Sequence, residues 1–330
     1  MKRSRISSEA GQQAAPGVQV SPADTALMPT GQRVRRLAAS APSWVMWLIV
    51  AVWTVPTFGL FISSFRKVPD INSTGWWTSW NDLDNLTLQN YRDVFRDSAA
   101  QPSMWEFALN SLAIVVPATI IPIAIAAFAA YGFAWIDFRG RNWLFIALVS
   151  MIALPNQMAF VPLLQMFNNG ARLTIPGVDW TFVLIPDVGV ANTAAAVWIT
   201  HTAFGLPLAV LLLHNFVSQL PREVFEAARI DGAGHLTIFW RLVVPLARPA
   251  LAAFAVFQFL WTWNDYLIAA VFLTDNEPMT VALVNLVGER GSNFQLRFAS
   301  AFVIMVVPLI VFFSLQRHFV RGLLAGSVKG

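Results

Sequence analysis

Long apolar stretches alternate with short polar segments along most of the chain. Five stretches of about 18 residues or more contain no Asp, Glu, Lys or Arg, and a sixth contains only Asp265. A helix of that length can cross the hydrocarbon core of a bilayer. The pattern therefore predicts an all-α polytopic membrane protein with six transmembrane helices, within 44–62, 107–136, 142–171, 188–220, 249–272 and 298–315. The third and fourth stretches exceed one crossing and contain prolines, so their boundaries stay open.

The composition agrees with a membrane location. Of the 330 residues, 56% are hydrophobic and 12% are charged, whereas soluble domains are about 45–50% apolar and about 25% charged. The 14 Trp and 26 Phe also fit, because aromatic rings concentrate at membrane–water interfaces. The chain contains no Cys, which excludes disulfides and thiolate metal or redox sites.

The basic residues are divided unequally between the two sides of the predicted membrane domain. Six spans place both termini on one side, and that side holds 15 of the 22 Lys and Arg. Because Lys and Arg accumulate in cytoplasmic loops, we expect both termini of this multi-pass cell-membrane protein in the cytoplasm. The net charge of +4 is then a sign of topology, and nucleic-acid binding is not expected.

Polar tails flank the predicted membrane domain. Residues 1–42 are rich in Ser, Ala, Gln, Gly and Pro without a periodic apolar face, which is typical of a flexible tail, here cytoplasmic. They do not form a cleavable signal peptide, because the first apolar segment begins only near Trp44 and is long enough to span. The six-helix domain covers 43–322, and 323–330 form a cytoplasmic C-terminal tail.

A polar loop at 221–245, between the fourth and fifth spans, is predicted to form two short helices around a glycine break. Pro221 suits the first helical position, and glutamates favour the early turns of a helix. Gly232 permits the reversal, and Pro245 marks a junction with the fifth span. Two uses of the loop are compatible with this pattern, docking in the cleft of a partner or lying as an amphipathic connector on the membrane surface.

The same loop resembles the EAA motif of ATP-binding-cassette (ABC) importer permeases. The similarity consists of Glu226-Ala227-Ala228, then Gly232, and, after nine intervening residues, Leu242-Val243-Val244-Pro245. The family pattern usually ends in Ile-x-Leu-Pro, so this ending is a conservative departure. Asp231-Gly232-Ala233 is the form found in sugar-importer permeases.

Further similarities extend over most of 44–330. They comprise Asn110-Ser111, Trp263-Asn264-Asp265 and the ending 322–330. Together they resemble the maltose-type carbohydrate permeases. The ending 319–330 and the segment 201–207 are most similar to the permeases for α-glucosides and glucose. The resemblance implies a type I ABC importer permease fold and an α-glucoside or other small sugar as substrate. A polyol or glycerol phosphate is the alternative within the same class.

In that family the loop sits in a groove of a cytoplasmic ABC ATPase dimer, which binds the ATP. The resemblance implies that Glu226 makes an ionic contact there and that neighbouring small residues pack closely. It also implies two other partners, a second homologous permease subunit and an extracytoplasmic sugar-binding protein that meets loops 63–105 and 274–297. The implied coupling residues are Glu226, Ala227, Ala228, Asp231, Gly232, Ala233 and Pro245, with Gly326, Ser327, Val328, Lys329 and Gly330 of the C-terminal tail.

Polar residues in the fifth span are candidates for a translocation path. Ionisable side chains inside a membrane are costly and often functional. Gln258 precedes Asp265 by two helical turns, which predicts a shared face. The alternative is that these side chains hold helices together by hydrogen bonds. The candidates for the path are Gln258, Trp261, Asn264 and Asp265.

No catalytic, metal or cofactor site is predicted. The chain lacks the Gly-x-x-x-x-Gly-Lys-[Ser/Thr] cradle for ATP phosphates. His201 and His214 are thirteen residues apart and point to opposite faces of one helix, which makes a poor metal pair. An ion-driven transporter with Asp265 as the coupling carboxylate is a second hypothesis. A membrane-embedded enzyme would need convergent catalytic groups, which the sequence does not offer.

Overall fold

The structure is a computed structural model that describes residues 42–81, 83–96, 102–174, 181–286 and 293–325. At 174 and 316–325 it describes the backbone only. Residues 1–41 of the predicted N-terminal tail and 326–330 of the C-terminal tail lie outside the described residues. The chain divides into two units, Met1–Phe58 and Gly59–Gly330. In the first unit the described residues form the beginning of helix α1, and all packing reported below lies within the second.

The first part of the chain contains two long apolar helices joined by a folded segment. The elements are α1 (Ser43–Ser63), α2 (Val68–Ser73), 3₁₀ turns at Trp76–Asn81 and Leu83–Asn85, α3 (Gln89–Val94) and α4 (Met104–Trp135). α1 confirms the first predicted span to within one residue at each end. α4 contains two internal prolines and is helical throughout.

The third predicted span is broken rather than continuous. Its two helical stretches, Arg141–Ala153 and Asn156–Asn169, meet at 101°. The break falls at Pro155, and the preceding Leu154 is extended, as expected for a residue before proline. The described residues therefore contain five membrane-length helices, or six if the bent pair counts as one span. The elements here are α5 (Arg141–Ser150), 3₁₀ turns at Met151–Ala153 and Asn156–Ala159, and α6 (Phe160–Asn169).

A short antiparallel hairpin, which the sequence did not predict, follows α6. It consists of β1 (Ala171–Thr174) and β2 (Thr181–Ile185). The helices that the structure describes after this hairpin are α7 (Ala194–Val217), α8 (Arg222–Ile230), α9 (His235–Trp263), α10 (Leu267–Phe272), α11 (Met279–Asn285) and α12 (Phe294–Ala325). α7 and α12 confirm the fourth and sixth predicted spans, although α7 is shorter and α12 longer than the apolar stretch.

The predicted boundary of the fifth span at Pro245–Pro249 is wrong. α9 begins at His235 in the polar loop and passes through Pro245 without a junction. A π turn at Phe239–Val243 directly precedes this proline, and such turns absorb local departures from the regular α ladder. The helix then ends at Trp263, so the predicted end at Phe272 belongs to the separate helix α10.

Small residues allow the central helices to approach closely. α4 and α7 form the most extensive pair, and α9 packs against both and against α12. Ala126, Ala130 and Ala209 are fully buried where α4 meets α7, with Phe254 of α9 against them. Close backbone approach at small residues is the usual way in which transmembrane helices associate.

Candidate coupling surface and intramembrane polar cluster

Helix α8 is amphipathic and is held down by one aromatic side chain. Phe225 is 1% exposed and stacks on Trp135 at the end of α4, with ring centroids 3.8 Å apart and planes 9° from parallel. The indole Nε1 of Trp135 donates to the carbonyl of Val217 at the end of α7. The guanidinium of Arg229 donates to the carbonyl of Trp135. α8 is therefore fastened to the end of α4, and Trp135 in turn links that end to the end of α7.

The start of α9 is fastened to the same end of α4. The Tyr131 hydroxyl lies 2.8 Å from Nδ1 of His235. Phe239 is buried and stacks on Phe128, with ring centroids 4.1 Å apart. Any displacement of the α8–α9 connection would therefore act on α4 through two separate sets of contacts.

The tight turn between α8 and α9 closes on itself. The amides of Asp231, Gly232 and Ala233 donate to the carbonyls at the end of α8. Gly232 has a φ of +79°, a left-handed conformation that glycine adopts without steric cost. The reversal predicted at this glycine is confirmed. The first helix begins at Arg222, one residue after the predicted Pro221.

The seven residues of the loop that the sequence singled out do not share one orientation. Glu226, Ala227, Asp231 and Gly232 are exposed. Ala228 and Ala233 are half-buried and pack on the cluster formed around Phe225. Pro245 is half-buried within α9. Only the first four are therefore open to contact by another molecule.

Two apolar side chains on this surface were missed by the sequence analysis. Ile230 is 86% exposed and Leu236 is 70% exposed, on either side of the Gly232 turn. The signal for Ile230 was available, because five residues at 100° each place it about 140° from the buried Phe225. Exposed apolar area bordered by polar residues is a feature of surfaces that contact other proteins or the membrane.

Asp265 lies in a break between helices rather than inside one. Its Oδ2 accepts hydrogen bonds from the amides of Ile268 (3.0 Å) and Ala269 (3.2 Å) in the first turn of α10. The same oxygen lies 3.7 Å from Nε2 of the buried His201. The predicted face shared with Gln258 is wrong, because the helix that would have carried it ends at Trp263.

Gln258 is fully buried at the junction of α4, α7 and α9. Its Nε2 donates to the carbonyl of Ala118 at 3.1 Å, and Trp261 meets His201 edge to face. Asn264 instead is exposed and donates to the carbonyl of Leu260, one turn back. The structure thus brings Trp261 and Asp265 beside His201, places Gln258 against Gly205 one turn further along α7, and leaves Asn264 apart. Several polar atoms here are buried without a hydrogen-bond partner, among them His201 Nδ1, Gln258 Oε1, Thr119 Oγ1 and Thr262 Oγ1.

The Asn110-Ser111 and Trp263-Asn264-Asp265 motifs converge on the segment around α11. Ser111 Oγ accepts from the amide of Met279 at 2.8 Å, and Asn110 donates to the carbonyl of Glu277. Thr280 donates to the main-chain carbonyl of Asp265 at 2.7 Å. These contacts join the start of α4, the break after α9 and α11, which gives both motifs a structural role.

Comparison with known proteins defines the class. Residues 123–325 match the family described as binding-protein-dependent transport system inner membrane component. An osmoprotective compounds uptake permease of Synechocystis sp. is 50% identical over 287 residues, 85% of this chain and 89% of the relative. An alpha-glucoside transport system permease of Rhizobium meliloti is 51% identical over 248 residues, 74% of this chain and 61% of the relative.

The fold recurs in a bacterial ABC transporter that imports alginate. The two chains superpose with a TM-score of 0.64 at 18% identity, over 88% of this chain and 98% of the other. Fold and relatives together define a multi-pass inner-membrane permease subunit of an ABC importer for sugars or related solutes, and not an enzyme. The chain belongs to the family of binding-protein-dependent transport system inner membrane components.

Proposed function

We propose that this permease is driven by a cytoplasmic ATPase through α8 and the turn at Gly232. The observation that carries the proposal is the division of α8 into two faces. Phe225 fixes one face to Trp135 at the end of α4, which in turn bonds the end of α7, while Glu226 and Ala227 on the other face are exposed. A surface that is both anchored and open can receive a displacement from a partner and pass it to the membrane helices.

The proposed partner surface combines charge with apolar area. Glu226 supplies an ionic contact to a basic residue of the ATPase, and Ile230 and Leu236 supply apolar contacts beside it. Desolvation of Glu226 in the complex would make its cationic partner essential, because an unpaired buried charge is costly. The C-terminal residues 326–330 are proposed as a second contact with the ATPase dimer. ATP binds to that dimer and not to this chain.

The remaining partners follow from the permease class. A second homologous permease subunit completes the translocation path, and an extracytoplasmic binding protein delivers the solute to loops 63–105 and 274–297. On the side of the predicted membrane domain that carries both termini lie 15 of the 22 Lys and Arg. This unequal distribution supports a cytoplasmic position for both termini. We propose an N-terminal tail at 1–42, a membrane domain at 43–322 and a C-terminal tail at 323–330.

For the substrate we propose an α-glucoside or another small sugar. The 51% identity to an alpha-glucoside permease supports it. The 50% identity to a permease for osmoprotective compounds supports a second candidate, an osmoprotective solute. ATPase activity of the complex reconstituted with its binding protein separates them, if a panel of α-glucosides, polyols and glycerol phosphate is tested. Stimulation by none of the sugars would contradict the carbohydrate assignment.

Within the membrane we assign different roles to the four path candidates. Asp265 Oδ2 accepts from main-chain amides and Gln258 Nε2 donates to a main-chain carbonyl, which supports a packing role for both. Trp261 lies at the edge of the His201 cluster, and Asn264 is exposed. We therefore propose Trp261 and Asn264 as the two that face the path, where an aromatic ring and an amide suit a sugar.

The coupling role is tested by a pair of glutamates on the same helix. Glu223 and Glu226 are both exposed on α8. A Glu→Gln change at either position is therefore the same chemical change at a different place on the helix. Glu226→Gln should lower retention of the ATPase subunit on the purified permease by about tenfold or more, while Glu223→Gln should have a small effect. Equal retention and equal ATPase stimulation in both variants would contradict the assignment.

A further inference from the structure

Three prolines inside the membrane helices each remove a main-chain hydrogen bond. In an α-helix the N–H of each residue bonds the carbonyl four residues earlier, and proline has no N–H to give. Pro117 and Pro122 in α4 therefore leave the carbonyls of Ala113 and Ala118 without their usual donor. Pro308 in α12 does the same to the carbonyl of Ile304.

Each of these three carbonyls accepts a hydrogen bond from a side chain of another helix. Trp198 Nε1 of α7 donates to Ala113 at 3.0 Å. Gln258 Nε2 of α9 donates to Ala118 at 3.1 Å. Trp263 Nε1 of α9 donates to Ile304 at 3.2 Å. We call these three pairs carbonyl clasps.

The clasps matter because the bilayer interior offers no replacement donor. A main-chain carbonyl that cannot bond water or its own helix costs free energy until a side chain reaches it. A clasp can form at only one position along the facing helix, because the free carbonyl lies one turn before the proline. Each clasp therefore fixes the register of two helices: α4 with α7, α4 with α9, and α9 with α12.

Two other prolines show that clasps do not arise automatically. Pro207 in α7 and Pro249 in α9 free the carbonyls of Ala203 and Pro245. Among the described residues, no side chain donates to either carbonyl. The clasps are thus a property of particular positions, and they concentrate on α4 and α9.

We propose that Trp198, Gln258 and Trp263 are positioning residues, each of which sets the register of a helix pair by bonding the carbonyl that a proline leaves free. α9 carries two of them, and its first residue His235 contacts Tyr131 beside the α8 surface. If α8 couples to an ATPase, a displacement that enters α9 at His235 reaches α4 through Gln258 and α12 through Trp263. This last step rests on the proposed coupling function, whereas the register role does not.

Double-variant cycles test the register role directly. Gln258→Leu removes the donor, and Pro122→Ala returns an intrahelical donor to the carbonyl of Ala118. In the full-length chain in mild detergent, Gln258→Leu should lower the Tm by at least about 3 °C in the native background. In the Pro122→Ala background the same change should lower the Tm by less than about 1 °C, relative to Pro122→Ala alone.

Mismatched pairs provide the control. Trp198→Phe keeps a six-membered aromatic ring but loses the donor together with the five-membered ring. The loss should be rescued in part by Pro117→Ala and not by Pro122→Ala. Gln258→Leu should likewise not be rescued by Pro117→Ala. A generic packing role predicts the same loss in every background, and that result would overturn the proposal. Because the readout is stability of this chain alone, failure of the ATPase coupling would leave these results unchanged.

Discussion

The carboxamide of Gln258 occupies the space where a side chain at Gly205 would begin. A Cβ at residue 205 would lie 2.8 Å from Oε1 and 3.1 Å from Nε2 of Gln258. Gly205 lies inside α7 and is buried, so glycine is needed here for space and not for an unusual φ. The amide cannot retreat without losing its bond to Ala118.

Gly205→Ala should therefore destabilise the permease by about 1–3 kcal/mol, the usual cost of overpacking a tight core. The matched control is Gly132→Ala in α4, where a Cβ would meet nothing within 4 Å. Alanine is the better helix former by up to about 1 kcal/mol, so the control should keep or raise the Tm. Thermal unfolding of both variants in detergent checks the pair, and an equal loss in both would contradict the steric explanation.

Phe225 on Trp135 is the contact that should hold α8 in place. Phe225→Leu keeps an apolar side chain but loses the stacked pair, which contributes about 0.5–1.5 kcal/mol beyond burial. We expect binding-protein-stimulated ATPase activity to fall several-fold while the ATPase subunit still co-purifies. Val224→Ala, an adjacent and more exposed change, should leave both properties near the native level. Loss of co-purification with Phe225→Leu would instead indicate that the ring shapes the contact surface itself.

The sequence predicted the helical membrane class and the glycine turn, because these depend on local pattern. The first span was placed within one residue, since its apolar run and its flanks are unambiguous. The predicted bounds of the fifth span were wrong at both ends. Pro245 resembles a boundary in sequence, but a π turn lets α9 continue, and Asp265 resembles an intrahelical charge but caps α10. The π turn lies where Phe239 packs on Phe128 and Tyr131 of α4, a tertiary contact that no local pattern encodes. The cap is local, because its amides lie three and four residues after Asp265, and it was overlooked because the apolar run continues past it.

The turn at Gly232 allows a test in which backbone conformation acts alone. Its φ is +79°, and a Cβ there would meet nothing within 4 Å, so any cost of substitution comes from the left-handed conformation. Gly232→Ala should cost about 1–2 kcal/mol, and Gly232→Asn should cost less, because Asn tolerates this region. Measuring the Tm of both variants shows which substitution is the more destabilising. A larger loss for Asn than for Ala would show that crowding, rather than φ, governs this turn.

Two variants of Asp265 distinguish a packing role of its carboxylate from a role in substrate contact. Asp265→Ala removes the acceptor for the amides of Ile268 and Ala269, and loss of such a cap costs about 0.5–2 kcal/mol. Asp265→Asn keeps an oxygen acceptor in the same place and should preserve most of the stability. If the carboxylate only caps α10, transport should follow stability, with the Asn variant near the native rate and the Ala variant below it.

For the neighbouring Asn264 we expect the opposite pattern, native stability with impaired uptake. Its side chain bonds only one turn back within α9 and is exposed, so Asn264→Ala should leave the Tm within about 0.5 °C to 1 °C of the native value. If Asn264 faces the path, the same variant should raise the substrate concentration needed for half-maximal uptake. Native stability with abolished uptake in Asp265→Asn would contradict the packing assignment, because a carboxylate that only caps α10 predicts uptake that follows stability.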